Sequence, residues 1–142
     1  MKERQSSVLI VAAAPEDRAA LRDALSSDPA ARYVITEAES GLRALEGCRA
    51  WKPDCLILDL DLPDLSGLDA LKELTAEEGE MTCAVVALVG AGDAQLAVEA
   101  MKSGALDCLE KGRAERTELL RTVSQAIEKP NSGDAPRRVS MN

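Results

Sequence analysis

Apolar positions along the chain fall into blocks of two alternating kinds. Val8 to Ala12, Cys55 to Leu58 and Ala84 to Val89 are unbroken apolar runs of strand length, the pattern of strands covered on both faces. Tyr33 to Ala38, a short β-branched segment, and Asp107 to Glu110 read as two further strands. The intervening segments carry helical spacing. Pro15, Glu16 and Asp17 make a first helical turn, with Pro early and acids at the positive dipole end, and Ala20, Leu21, Ala24 and Leu25 form the apolar stripe of a helix to about Ser27. A second helix from Ser40 to about Ala50 is expected to bury Leu42 and Leu45, and a third from Leu68 to about Glu78 sets Leu68, Leu71 and Leu74 on one side. Asp93 is expected to N-cap a fourth helix with Leu96, Ala97, Ala100 and Met101 on its stripe, ended by Gly104. A fifth, Arg116 to Glu128, carries Leu119, Leu120, Val123 and Ile127.

Strands alternating with helices predict an α/β domain whose parallel sheet is covered on both faces. In such sheets a site lies beyond the carboxyl ends of the strands, which directs attention to Ala12 to Ala14, Asp59, Val89 and Lys111. The 142 residues fit one domain. Residues 1–7 read as an N-terminal lead and 8–129 as the domain. From Pro130 to Asn142 the chain turns to Asn, Ser, Gly, Pro and Arg without periodicity, as in a disordered tail or linker.

A net charge of −8 argues against a nucleic-acid surface, which needs clustered Lys and Arg. One Trp, one Tyr and no Phe leave little to stack a flavin or base. Gly90-Ala91-Gly92 precedes a helix but lacks the Gly-Lys-Ser/Thr ending of a nucleotide loop, so it reads as a turn. Cys48, Cys55, Cys83 and Cys108 include no Cys-x-x-Cys pair and His is absent, so the cysteines are expected as small core hydrophobes. Neither a signal peptide nor a transmembrane stretch is read, and the expected location is the cytoplasm, away from membranes.

Three blocks carry a resemblance: Asp59-Leu60-Asp61-Leu62-Pro63-Asp64-Leu65-Ser66-Gly67, Ala97-Val98-Glu99-Ala100-Met101-Lys102-Ser103-Gly104-Ala105, and Asp107-Cys108-Leu109-Glu110-Lys111-Gly112. From Val8 to about Lys129 the chain resembles the receiver domain of two-component response regulators, and the last two blocks look most like receivers of cyanobacterial-type hybrid sensor kinases. The resemblance implies a flavodoxin-like (βα)5 fold with strand order 2-1-3-4-5. It further implies that Asp59 stands at the phosphoacceptor position, Lys111 at the position that neutralises the phosphoryl oxygens, and the Asp61 carbonyl among the Mg²⁺ ligands. The acidic pair that completes the Mg²⁺ site falls on Ala12 and Ala13. The hydroxyl that bonds the phosphoryl group is replaced by Val89, the aromatic behind it by Cys108, and the usual Pro after the lysine by Gly112.

The resulting expectation is an atypical, non-enzymatic receiver: a signalling interaction module with weak or no Mg²⁺ binding. Its expected partner is a histidine kinase or another signalling protein, with homodimerisation through the helix 4, strand 5, helix 5 face. That face offers Leu96, Glu99, Lys102, Glu110, Arg116 and Arg121. The alternative is a phosphoacceptor still served by a cognate histidine kinase. Asp59 and Lys111 are expected to pair as a salt bridge, and Glu16 and Asp17 to serve the helix dipole rather than replace the lost ligands.

Overall fold

A computed structural model describes residues 5–78, 83–112 and 116–128; the segment from Pro130 read as a tail lies outside them. The chain alternates β1 (Gln5–Val11), α1 (Pro15–Ser26), β2 (Arg32–Ala38), α2 (Gly41–Trp51), β3 (Cys55–Asp59), α3 (Gly67–Glu78), β4 (Ala84–Val89), α4 (Ala94–Lys102), β5 (Asp107–Glu110) and α5 (Arg116–Glu128). The strands form one five-stranded sheet in the order β2-β1-β3-β4-β5, and every pairing is parallel. This is the predicted flavodoxin-like order. The direction of winding reverses between β1 and β3, so Val11, paired with Leu58, leads into the crevice beside Asp59.

The side-chain period of two splits the strands between two cores. Leu9, Val11, Leu56, Leu58, Val85 and Ala87 pack beneath α2, α3 and α4, while Val8, Ile10, Cys55, Ile57, Val86 and Leu88 pack beneath α1 and α5. Both faces being covered explains why β3 and β4 read as unbroken apolar runs: all of their residues are buried. The edge strand β2 alternates instead, and β5 is only four residues long. β1 begins at Gln5, three residues before the apolar run, because the backbone of Gln5 to Ser7 pairs with Arg32 to Val34 even though its side chains are polar.

Helix ends follow local chemistry. Pro15 opens α1, Ser40 caps α2 by accepting from Arg43 N at 3.2 Å, and Lys52 closes α2 in the left-handed region at φ 49°. Several stripe assignments need correction. Leu42 is 58% exposed because the stripe of α2 runs through Gly41, Ala44, Leu45 and Cys48. Met101 is exposed and only Ala100 is fully enclosed on α4, since that helix covers little more than the β4–β5 edge; Ala20 likewise lies outside the stripe of Leu21, Ala24 and Leu25. Asp93 starts α4 with its backbone carbonyl, accepting from Ala97 N, but its side chain makes no capping bond.

Candidate functional site

β3 ends on Asp59, which is 2% exposed although it is a carboxylate. A buried charge must be paired and hydrogen-bonded, and Asp59 is both. Asp61 N donates to Oδ1 at 2.9 Å, and Lys111 Nζ reaches Oδ2 at 3.0 Å and Oδ1 at 3.3 Å. The ion pair expected from the sequence is therefore present. Lys111 follows β5 directly, and its own N–H donates to Val89 O at 2.7 Å, which fixes the stem of the lysine against the end of β4. Burial pulls the Lys111 ammonium down, but the hydrogen bond and charge of Asp59, with the charges of Asp17 and Asp61, outweigh it and hold the lysine above its ordinary range.

The ends of β1 and β4 bring apolar side chains to the same edge. Ala12 is fully buried at the end of β1, with its N–H donated to Ala38 O, and Ala13 is exposed beside it. Their carbonyls are taken up by Arg18, whose Nη1 donates to Ala12 O at 2.8 Å and Ala13 O at 3.1 Å. Arg18 is held in turn by Glu37, which also binds Arg22 at 2.6 Å. The hydrogen bond from Arg22, helped by Arg18 and opposed by burial, keeps Glu37 below the usual carboxylate range. Val89 is 7% exposed and turns its methyls into the α2–α4 core. Cys108 is only half-buried, contrary to its reading as a core cysteine; burial and then the Asp107 charge push its thiol up. Glu16 and Asp17 lie exposed in the first turn of α1.

Two contacts that the sequence does not announce shape the loop after Asp59. Asp64 accepts from Gly41 N at 2.9 Å and Leu42 N at 3.1 Å, binding the loop to the N-terminus of α2 and lowering its own pKa, chiefly through the Gly41 bond. Gly67 opens α3 so close to β3 that an added Cβ would fall 2.5 Å from Leu60 Cα and 2.6 Å from Asp59 O. Asp64 reads from sequence as a turn residue; its partner lies in another element, so no local signal marks the role.

A doubly wound parallel sheet with a buried carboxylate and a lysine meeting at its carboxyl edge defines a class of regulatory α/β domain. The model of the response regulator receiver domain matches residues 8–124, and the chain belongs to that family. It is 31% identical to protein-glutamate methylesterase/protein-glutamine glutaminase 5 of Geobacter metallireducens, over 97% of this chain and 42% of that protein. It is 34% identical to the transcriptional regulatory protein FixJ of Azorhizobium caulinodans, over 75% of this chain and 53% of that one. The chain thus spans about half or less of these curated relatives. In structure it superposes on the response regulator domain of Thermotoga maritima CheB with a TM-score of 0.77 at 29% identity, over 87% of this chain and 97% of that one.

The donor set can be compared with the Mg²⁺ that the family implies. Mg²⁺ asks for octahedral oxygen ligands, with carboxylates among them. Here Asp59 is engaged by Lys111, Ala12 and Ala13 carry no donor side chain, and their carbonyls are bound to Arg18. Among the described residues no group of three or more His, Cys, Asp or Glu is placed to hold a metal ion. The residues at this crevice do not fit the ion. Likewise, among the described residues no helix is long and apolar enough to cross a membrane.

Proposed function

We propose that this receiver domain is an atypical one, working as a signalling interaction module rather than as a Mg²⁺-dependent phosphorylation switch. The observation that carries this reading is the closed Asp59–Lys111 pair, together with alanines at the end of β1 where carboxylates would be needed to hold the cation. Metal-assisted stabilisation is worth several kcal/mol to a phosphoryl transfer, and these residues have no means of supplying it.

The switch is disarmed separately. Val89 has the shape of threonine but no hydrogen to donate to a phosphoryl oxygen. Moving a two-state protein from about 1:99 to 99:1 takes roughly 5.5 kcal/mol of differential binding. One charge-assisted contact from Lys111 supplies about 1.5–3 kcal/mol, which falls short. The domain therefore signals by association, without catalysis of its own. Partners, a histidine kinase or another signalling protein, meet its helical faces. A second copy would use the α4–β5–α5 face, where Val98, Met101 and Leu106 are exposed beside Lys102, Arg116 and Arg121.

Incubation with a small phosphodonor and Mg²⁺, read by intact mass, tests the reading. The expected result is unmodified protein; stoichiometric aspartyl phosphate lost in Asp59→Asn would overturn it. Retention of Asp59 and Lys111 at bonding distance favours one other reading, a phosphoacceptor served by a cognate kinase. Rapid Asp59-dependent transfer from a phosphorylated histidine kinase would establish that reading instead.

A further inference from the structure

The chain has one Trp, one Tyr and no Phe, yet its tryptophan is left 55% exposed. Trp51 ends α2, four residues after Gly47, so the two lie on one side of the helix. A Cβ on Gly47 would fall 3.3 Å from Trp51 Cζ3 and 3.5 Å from its Cε3, with Leu9 Cδ2 of β1 at 3.0 Å. Glycine is a poor residue for a helix interior. Here its bare backbone lets the benzo edge of the indole lie against the helix, which seats the ring while the rest of it meets solvent.

The seated ring forms one wall of a cavity of about 470 Å³ between α2 and the end of β2, a size within the range of small-ligand clefts. Glu37 and Glu39 line it from the strand side, Arg43 and Glu46 from the helix. Glu37 is engaged by Arg18 and Arg22 of α1. Glu46 accepts from Arg43 Nη1 at 3.3 Å, but both side chains are 64% exposed, and a pair so well hydrated is easily exchanged. Glu39 is exposed and, among the described residues, bonds to no cation. The cavity thus joins a fixed indole to a carboxylate without a counterion, in a chain whose net charge of −8 favours a cationic partner.

We propose that this cavity is a docking site for an arginine side chain carried by a protein partner. A guanidinium is planar and weakly hydrated, so it can lie on the indole face while its N–H groups reach Glu39, and it can take Glu46 in exchange for Arg43. An ammonium brings the same charge without a plane to stack, and a neutral side chain leaves Glu39 without a counterion. A peptide suits the site better than a free cation because β2 is the edge strand: its outer side, paired with no strand among the described residues, lies open beside the cavity to the backbone of an extended segment. The strand order sets this site at the sheet edge opposite β5, away from the α4–β5–α5 face. It goes beyond the reading of the Asp59 crevice and stands whether or not Asp59 accepts phosphate.

The test is a ¹H–¹⁵N titration of the whole chain with acetyl-Ala-Ala-Arg-Ala-Ala-amide through the millimolar range, beside the same peptide with lysine or citrulline at the centre and beside free arginine. The arginine peptide should give saturable shifts of the Trp51 indole N–H and the Gly47 amide. The lysine peptide should bind at least about twofold more weakly, and the citrulline peptide, of the same shape but neutral, should give none. Trp51→Leu and Glu39→Gln, both at exposed positions, should each weaken the arginine peptide by about two- to fivefold, read at the Gly47 amide. The absence of saturable shifts with the arginine peptide, equal shifts with citrulline, lysine binding as tightly as arginine, or an unchanged affinity in either variant would overturn the proposal. Free arginine binding as tightly as the peptide would make this a small-molecule site and overturn the docking of a protein.

Discussion

The β3–β5 side and the β1–β4 side of the carboxyl edge present opposite chemistry to one crevice. On the first, Asp59 and Lys111 form an ion pair whose carboxylate is almost wholly buried. On the second, Ala12 and Val89 are packed hydrophobes, and the carbonyls of Ala12 and Ala13 are bonded to Arg18. The strands run in the same order and register toward both. The difference shows that backbone and side chain do separable work at this edge. The sheet aims its strand ends into the crevice whatever they carry, and alanines at the end of β1 set no carboxylate repulsion against Asp59.

The largest change should come from placing charge on the apolar side. The double variant Ala12→Asp, Ala13→Asp places new carboxylates beside Asp59, one of them at a fully buried position. In EDTA it should be less stable by roughly 2–5 kcal/mol. Mg²⁺ should recover much of the loss in a saturable way, as a ligand that binds only the folded state does. Urea melts with and without Mg²⁺ measure both quantities, and a stability indifferent to Mg²⁺ would show that the alanines are not what removes the cation site.

Breaking the charged side should cost less. Lys111→Met leaves Asp59 buried with Asp61 N as its remaining partner. Loss of one member of a buried pair typically costs about 3–5 kcal/mol; because a third of the lysine side chain is exposed, a fall of about 1–3 kcal/mol is expected in the urea midpoint analysis.

Smallest are the pH effects. Glu37 and Asp64 have folded-state pKa values below the ordinary carboxylate range. Their contributions are complete above that range and vanish as pH falls through the lowered values, so the acid limb should begin below about pH 4. Lys111 is raised, so its contribution is complete below the ordinary lysine value and is lost as pH climbs through the higher folded one, above about pH 10. Stability measured against pH should flatten on the acid side in Glu37→Gln and on the alkaline side in Lys111→Met.

Much of this was written locally. The unbroken runs of β3 and β4 signal burial on both faces, and once the strand ends are placed, Asp59 and Lys111 must share an edge. Leu42 and Met101 are exposed against expectation, because helix stripes are set by which neighbours are near enough to cover them and not by hydrophobicity alone. The Arg18–Glu37–Arg22 network and the hold of Asp64 on α2 each join different elements. Such contacts leave no periodic trace, because their spacing in the chain reflects the path of the fold rather than any local repeat.

Gly41 and Gly67 bracket the loop that follows Asp59. A methyl on Gly41 would lie 2.5 Å from Leu65 O, and one on Gly67 would strike the backbone of Asp59 and Leu60. The most recognisable stretch of this sequence thus has a mechanical reason to stay as it is, quite apart from reactivity. An alanine at either end would wedge the loop away from its supports. The loop's shape and its chemistry are thus under separate constraints, and a signature held by close packing identifies the fold whatever the site does.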